Sequence, residues 1–503
     1  MSERADVLVI GAGLSGIDAA YRLSTECPGK TFLILEARAA IGGTWDLFRY
    51  PGVRSDSDMF TLGYPFRPWR NPRAIASGET VRAYIRDTAA RYGLDKKIRF
   101  GRRVVRAHWS SDDATWTVET GTGETYAANF LYLCTGYYRY SSGHEVDFPG
   151  REAFRGRIVH PQHWPDDLDY AGKRVVVIGS GATAVTLVPS MASSAAHVTM
   201  LQRSPAYFIS LTGSGSEPDG QLSGPKARMI RGRNVLATAL LYQASRRWPD
   251  RVARYLQGQV ARELPSTVPI DPHFTPRYRP WDQRLCVVPD GDFFAALRAG
   301  TASVVTGTVE TFRETGVRLT DGTEIDADVI VTATGLTMVT FGEIALDVDG
   351  EPVDSGRLHV YKGMMFSGVP NLAWCVGYIN ASWTLRADLT SRYVCRLVNY
   401  MDRHRIDVTT PTIPPGPTQA RSTQARPTQA RPTQARSTQA RSAQAGEPLM
   451  ALDSGYVRRA AAVLPRQGAR RPWRVRNNYL TDLPSMLLSR IDDGNVRFAR
   501  VKA

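Results

Sequence analysis

The sequence predicts an α/β fold: two Rossmann-like doubly wound domains, the first split by insertion of the second, plus a helical insert and a low-complexity loop. Two copies of one pattern carry that prediction. An apolar, β-branched run leads into a glycine turn, a helical stretch and a second apolar run, once from Asp6 to Glu36 and again from Arg174 to Ser204. A third observation sets the nesting. Asn129–Cys134 is a buried-strand pattern ending on Thr135-Gly136, and Asp328–Thr334 ends on Gly335 in the same way. The expected organisation is a first domain over 1–145, an inserted domain over 150–325 with helical stretches at about 215–285, a return to the first domain over 326–405, a disordered repeat over 412–446 and a C-terminal segment over 447–503.

Asp6–Ile10 (DVLVI) reads as a strand buried on both faces, the usual condition of a parallel strand. It runs into Gly11-Ala12-Gly13-Leu14-Ser15-Gly16. Gly11 permits the tight turn, Gly13 leaves room for a pyrophosphate, and Gly16 lets helix and strand approach, with the helix N-terminus facing the phosphates. Phe32–Glu36 is the next strand, and its terminal acid is placed to accept a ribose hydroxyl.

In the second copy, Arg174–Ile178 runs into Gly179-Ser180-Gly181-Ala182-Thr183-Ala184, and the following strand ends on Gln202-Arg203-Ser204 with no acid. A guanidinium beside a hydroxyl suits a 2′-phosphate that a carboxylate would repel. The two sites are therefore expected to take different dinucleotides, FAD at the first and NADPH at the second.

Composition narrows the class. The chain has 503 residues, 43% of them hydrophobic, enough for several buried cores and too apolar for general disorder. Lys plus Arg is 63 and Asp plus Glu 48, a net +15 that favours anionic ligands without implying nucleic acid. The five cysteines, Cys27, Cys134, Cys286, Cys375 and Cys395, form no CxxC pair, which argues against a disulfide framework, a metal site and the closely spaced pair of a disulfide reductase. The amino terminus has no apolar signal region, and no run reaches the ~18 apolar residues of a membrane span. A cytoplasmic protein, soluble or in peripheral membrane contact, is expected.

Between the glycine turns lies Phe154-Arg155-Gly156-Arg157-Ile158-Val159-His160-Pro161-Gln162-His163-Trp164-Pro165, an FxGxxxHxxxWP pattern. This resembles the fingerprint of the Baeyer–Villiger type of class B flavin-dependent monooxygenases. Gly42-Gly43-Thr44-Trp45, Arg49 to Asp56, Trp281-Asp282-Gln283-Arg284-Leu285-Cys286 and Asn380 to Leu385 resemble the ethionamide-activating subgroup, and matching blocks cover most of the chain. The resemblance implies an enzyme that takes hydride from NADPH onto FAD, forms a C4a-peroxyflavin with molecular oxygen and inserts oxygen into a ketone or onto sulfur.

Carried over residue by residue, the resemblance assigns Arg284 to stabilising the peroxide and Asp56 to orienting Arg284. It implies Gly43, Thr44, Trp45 and Asp56 at the flavin with Gly11, Gly13, Gly16 and Glu36, and Thr183, Ala184 and Ser204 at the nicotinamide nucleotide with Gly179, Gly181 and Arg203. Phe154, Gly156, His160 and Trp164 become hinge residues coupling cofactor binding to domain movement. Gln283 stands where the wider group often has a lysine for the 2′-phosphate, so selectivity for NADPH rests on Arg203. Two other functions stay open on the sequence: an NADPH oxidase releasing hydrogen peroxide, and a non-catalytic nucleotide-binding protein.

Further along, a helix is expected from Asp388 to Met401, with Ser382 or Thr384 capping its start. Residues 417–445 repeat PTQAR or STQAR, with a period matching neither helix nor strand and no large apolar residue to bury. Deleting 417–445 is expected to leave flavin content and turnover unchanged; loss of either in the purified deletion variant would contradict an inert insertion.

Overall fold

The computed structural model describes residues 3–211, 220–413, 446–450 and 452–501. The expected repeat of 417–445 lies outside the described residues. Six strands open the chain: β1 (Glu3–Ile10), β2 (Phe32–Leu35), β3 (Ile98–Arg99), β4 (Val104–Ser110), β5 (Thr115–Thr120) and β6 (Thr125–Leu133). β1 lies between β2 and β6 and parallel to both, Leu8 opposite Leu33 on one side and Leu131 on the other. All of β2 and the last four residues of β1 are buried, because helices cover one face and a second apolar layer the other. That double burial is why these runs read without polar alternation. Helix α1 (Leu14–Glu26) makes the crossover between β1 and β2.

The second sheet contains β7 (Arg157–Val159), β8 (Arg174–Ile178), β9 (His197–Gln202), β10 (Ala302–Thr306) and β11 (Val329–Thr332). They lie in the order β10-β9-β8-β11-β7, every neighbouring pair parallel. Helix α2 (Ala182–Met191) follows the second glycine turn, and α3 (Gly224–Arg247) with α4 (Pro249–Glu263) forms the helical insert. A short parallel pair, Phe208–Leu211 with Cys286–Pro289, brings the insert back beside the glycine turn.

The chain then rejoins the first sheet through β12 (Ala345–Val348), β13 (Glu351–Pro352) and β14 (Leu372–Trp374). The full order is β13-β12-β4-β5-β6-β1-β2-β3, with β14 parallel to the end of β6. Because β11 belongs to the second sheet, the return to the first falls after Gly335, not at the 325/326 boundary the sequence suggests. Both units close on the same Thr-Gly signature, and strand pattern alone does not say which sheet the strand joins.

Helix α5 (Trp383–His404) is longer at both ends than the expected Asp388–Met401. Neither expected hydroxyl caps it. The Ser382 Oγ meets Thr61 Oγ1 at 2.5 Å, and Thr384 Oγ1 donates to the carbonyl of Leu62 at 2.6 Å. Arg22 of α1 grips Asp388 of α5 at 2.5 Å, fastening the two helices. Helix α6 (Tyr479–Leu487), in the C-terminal segment, packs on α5, where Arg386 donates to Asp482 at 2.5 Å. Among the described residues no helix is long and apolar enough to cross a membrane.

Candidate active site

The two glycine turns open into one cavity of ≈ 1590 Å3. That exceeds the ~300–1,000 Å3 usual for a pocket holding a single ligand. Its walls come from both sheets, α3, the start of α5 and the C-terminal segment.

At the first turn Gly11 has φ +106°, and a Cβ there would stand 2.7 Å from the Cys134 carbonyl oxygen. A Cβ on Gly16 would lie 1.8 Å from the carbonyl of Gly11, so only glycine lets α1 seat against β1. Gly13 caps α1 with no side chain bonded to the first-turn amides, leaving those N–H groups for an anion. Glu36 is buried at the end of β2, one oxygen accepting from the Ala12 amide at 2.6 Å and the other from Arg38 at 2.8 Å. Burial pushes its carboxyl upward, and the two amide donors oppose that shift.

At the second turn Gly179 has φ +144° and its Cβ position lies 2.4 Å from the Ala333 carbonyl, whereas Gly181 faces open space. Arg203 and Ser204 are exposed at the end of β9 and line the cavity. Among the described residues no carboxylate lies within ion-pair distance of Arg203, so its charge is available to a ligand. Replacing Arg203 with alanine is expected to lower kcat/KM for NADPH by roughly 10- to 100-fold, the worth of a charge-assisted contact. Steady-state kinetics with NADH should change little; equal losses with both nucleotides would show that Arg203 does not read the 2′-phosphate.

Between the two turns stands Arg284. Its Nη1 donates to Asp56 Oδ2 at 3.1 Å and its Nη2 to the Tyr137 hydroxyl at 3.3 Å, while Nε is buried with no hydrogen-bond partner among the described residues. Asp282 is engaged elsewhere, by Arg246 at 2.8 Å, so it does not neutralise Arg284. Burial pushes the Tyr137 and Tyr138 phenols up, and they surround the guanidinium as neutral dipoles. The Trp281 Nε1, Asn380 Oδ1 and Ser454 Oγ are also buried without a hydrogen-bond partner among the described residues, and all three residues line the cavity. Such orphaned groups cost stability unless a ligand completes them.

Gly11, Gly13, Glu36, Gly43, Thr44, Trp45, Asp56, Gly179, Gly181, Thr183, Arg203, Ser204 and Arg284 all line this cavity. Gly16 and Ala184 sit behind its wall and act through close packing. Phe154, Gly156, His160 and Trp164 stay off it. Phe154 packs on Phe312 with ring centroids 6.4 Å apart, and a Cβ on Gly156 would lie 2.2 Å from the Asp328 carbonyl. His160 accepts the Gln162 amide at Nδ1, so Nε2 carries the hydrogen that reaches the Gly335 carbonyl at 3.2 Å. Burial lowers its pKa, in keeping with a neutral ring that ties the linker to the end of the second sheet. Tyr137, Tyr456 and Arg459 also line the cavity; Tyr456 falls in a block that resembles the ethionamide-activating subgroup, whereas Tyr137 and Arg459 were assigned no role from the sequence and are brought to the cavity by folding.

The cradles fit two dinucleotides: amides with no side-chain cap at one helix start, glycines where a Cβ would collide or fill the opening, an acid at one strand end and, at the other, an arginine with no carboxylate beside it among the described residues. The model of the flavin-binding monooxygenase-like family matches residues 4–247. The FAD-containing monooxygenase EthA of Mycobacterium tuberculosis is 46% identical, over 99% of this chain and 99% of its own. Among solved structures, the open form of cyclohexanone monooxygenase has a TM-score of 0.69 at 21% identity, covering 82% of this chain and 90% of that one. Oxidised steroid monooxygenase bound to NADP has a TM-score of 0.67 at 24% identity, covering 82% and 88%.

Proposed function

This chain belongs to the flavin-binding monooxygenase-like family, and on that premise we propose that it uses FAD, NADPH and molecular oxygen to oxygenate a small ketone or a sulfur compound. The observation that carries the reading is Arg284, a fixed cation held by Asp56 and Tyr137 between two glycine turns of one cavity.

Gly11, Gly13 and the first-turn amides of α1 would hold the FAD pyrophosphate, and Glu36 its ribose. Gly179, Gly181, Arg203 and Ser204 would hold NADPH. When bound, the flavin supplies hydride acceptance and oxygen activation, chemistry no side chain here provides. Arg284 stays charged at any working pH, so it offers positive charge where negative charge develops and does not compete for the proton. Asp56 fixes the direction of that charge by taking one arm of the guanidinium, and Tyr137 by taking the other. His160 holds the linker to Gly335 and moves no proton in this reading.

Val235, Leu241 and Tyr242 of α3 line the cavity together with Tyr378, Trp383 and Leu385. This apolar lining favours a substrate that leaves water readily, and peripheral contact with a membrane belongs to the same reading. The test is one experiment on purified holoenzyme: record the flavin spectrum, add NADPH anaerobically, then admit oxygen with phenylacetone or a thioether. Bleaching followed by ester or sulfoxide is expected. Hydrogen peroxide as the sole product would favour an oxidase, and a flavin that NADPH fails to bleach would overturn the catalytic reading.

A further inference from the structure

We propose that the outward face of α3 and the start of α4 docks on an anionic lipid bilayer at the rim of the oxygenation cavity. This deepens the membrane contact given above and rests on it.

Helix α3 has 24 residues, about 36 Å at the usual rise. One side is committed to the enzyme: Ala227, Val235 and Ser245 are buried, and Arg231 donates to the carbonyls of Phe60, Thr61 and Gly63. The other side carries Met229, Leu236 and Leu240, which are 68%, 50% and 60% exposed. Their spacing of seven and four places them on one stripe of the helix. Trp248 at the junction and Tyr255 on α4 are 51% and 59% exposed, large amphipathic rings of the kind favoured at a headgroup boundary.

Charge flanks that stripe on both sides. α3 contains Lys226, Arg228, Arg231, Arg233, Arg246 and Arg247 and no acidic residue; α4 opens with one exposed acid, Asp250, followed by Arg251 and Arg254. Arg231 is turned inward and Arg246 is paired with Asp282. Among the described residues no carboxylate lies within ion-pair distance of Lys226, Arg228, Arg233, Arg247, Arg251 or Arg254. An apolar stripe between unneutralised basic rows matches the layering of an anionic bilayer surface. A second copy using the same face would bring like charges together, which disfavours that occupant.

Position gives the face a purpose. Arg233, Ala237 and Gln243 are exposed and also line the cavity, so α3 forms its rim. A lipophilic substrate leaving the bilayer would reach the apolar lining without crossing bulk water.

The test is sedimentation of the full-length holoenzyme with vesicles of phosphatidylcholine alone or mixed with phosphatidylglycerol, at low and high salt. Binding to the mixed vesicles, reversed by salt, is expected. The triple variant Met229→Ser, Leu236→Ser, Leu240→Ser and the triple variant Arg228→Gln, Arg247→Gln, Arg251→Gln should each lower partitioning by roughly 10- to 100-fold. Both should turn over a water-soluble thioether normally, and deletion of 417–445 should leave vesicle binding in place. Failure of the unaltered enzyme to bind mixed vesicles overturns both this face and the membrane contact. Binding that survives both triple variants, or disappears with 417–445, overturns this face alone. So does an oligomer, seen by analytical ultracentrifugation, that the apolar variant abolishes.

Discussion

Arg284→Ala is expected to remove oxygenated product by at least about 100-fold while anaerobic flavin reduction by NADPH stays within a few-fold of the unaltered rate. The magnitude is that of deleting one preorganised charge aimed at a developing anion. The selectivity follows from geometry: Arg284 is held by Asp56 and Tyr137, whereas the proposed nucleotide contacts fall to Arg203 and the glycine turns elsewhere on the cavity wall. NADPH consumption should persist, with hydrogen peroxide replacing product. Arg284→Lys keeps the charge but loses the two-armed hold, so an intermediate product yield is expected. Paired assays of NADPH oxidation, peroxide and product decide the matter; a normal product yield from the alanine variant would remove the assigned role.

The second large effect is on stability. Arg386 on α5 is 4% exposed at its side chain, Asp482 on α6 is 11%, and their charged atoms meet at 2.5 Å. Tyr378 adds a donor to the same carboxylate at 2.9 Å, and the second arm of Arg386 reaches the Lys362 carbonyl at 2.6 Å. Asp482→Ala leaves a buried guanidinium without its counter-ion, a loss of about 3–5 kcal/mol. The adjoining residues Asn477, Asn478 and Tyr479 line the cavity, so flavin release should come earlier on heating or in urea. Replacing both partners with apolar residues, Arg386→Met with Asp482→Leu, should recover much of the loss, because the penalty belongs to the unpaired charge. An unfolding midpoint unchanged in Asp482→Ala would show that the pair is not what fastens the C-terminal segment.

The features most legible in the sequence are those whose physics is local. Gly11 and Gly179 sit at positive φ with a backbone carbonyl against them, and such a turn leaves glycine as its signature. Double burial leaves unbroken apolar runs, as in β1, β2 and β8. The start of α3 is also written locally, in Ser223-Gly224-Pro225: Ser223 accepts from the Lys226 amide and proline occupies the first turn, a start signal inside the helical region expected at about 215–285. Hydropathy beyond residue 401 could not extend α5 to His404, because its final turn carries Asp402, Arg403 and His404 on an amphipathic helix.

Local sequence therefore established two dinucleotide folds, their nesting and the contrast between Glu36 and Arg203, because each depends on residues close in the chain. The family resemblance paired Arg284 with Asp56, while folding alone decided that β11 stays with the second sheet, that Tyr137 takes the other arm of Arg284 across a long sequence separation, and that Arg459 reaches the same cavity. It also decided which side of α3 is buried. The physical reason is the same throughout: a turn or a strand is dictated by its own backbone, whereas the partner of a charge and the cover of a face depend on which distant segments the packed chain brings together.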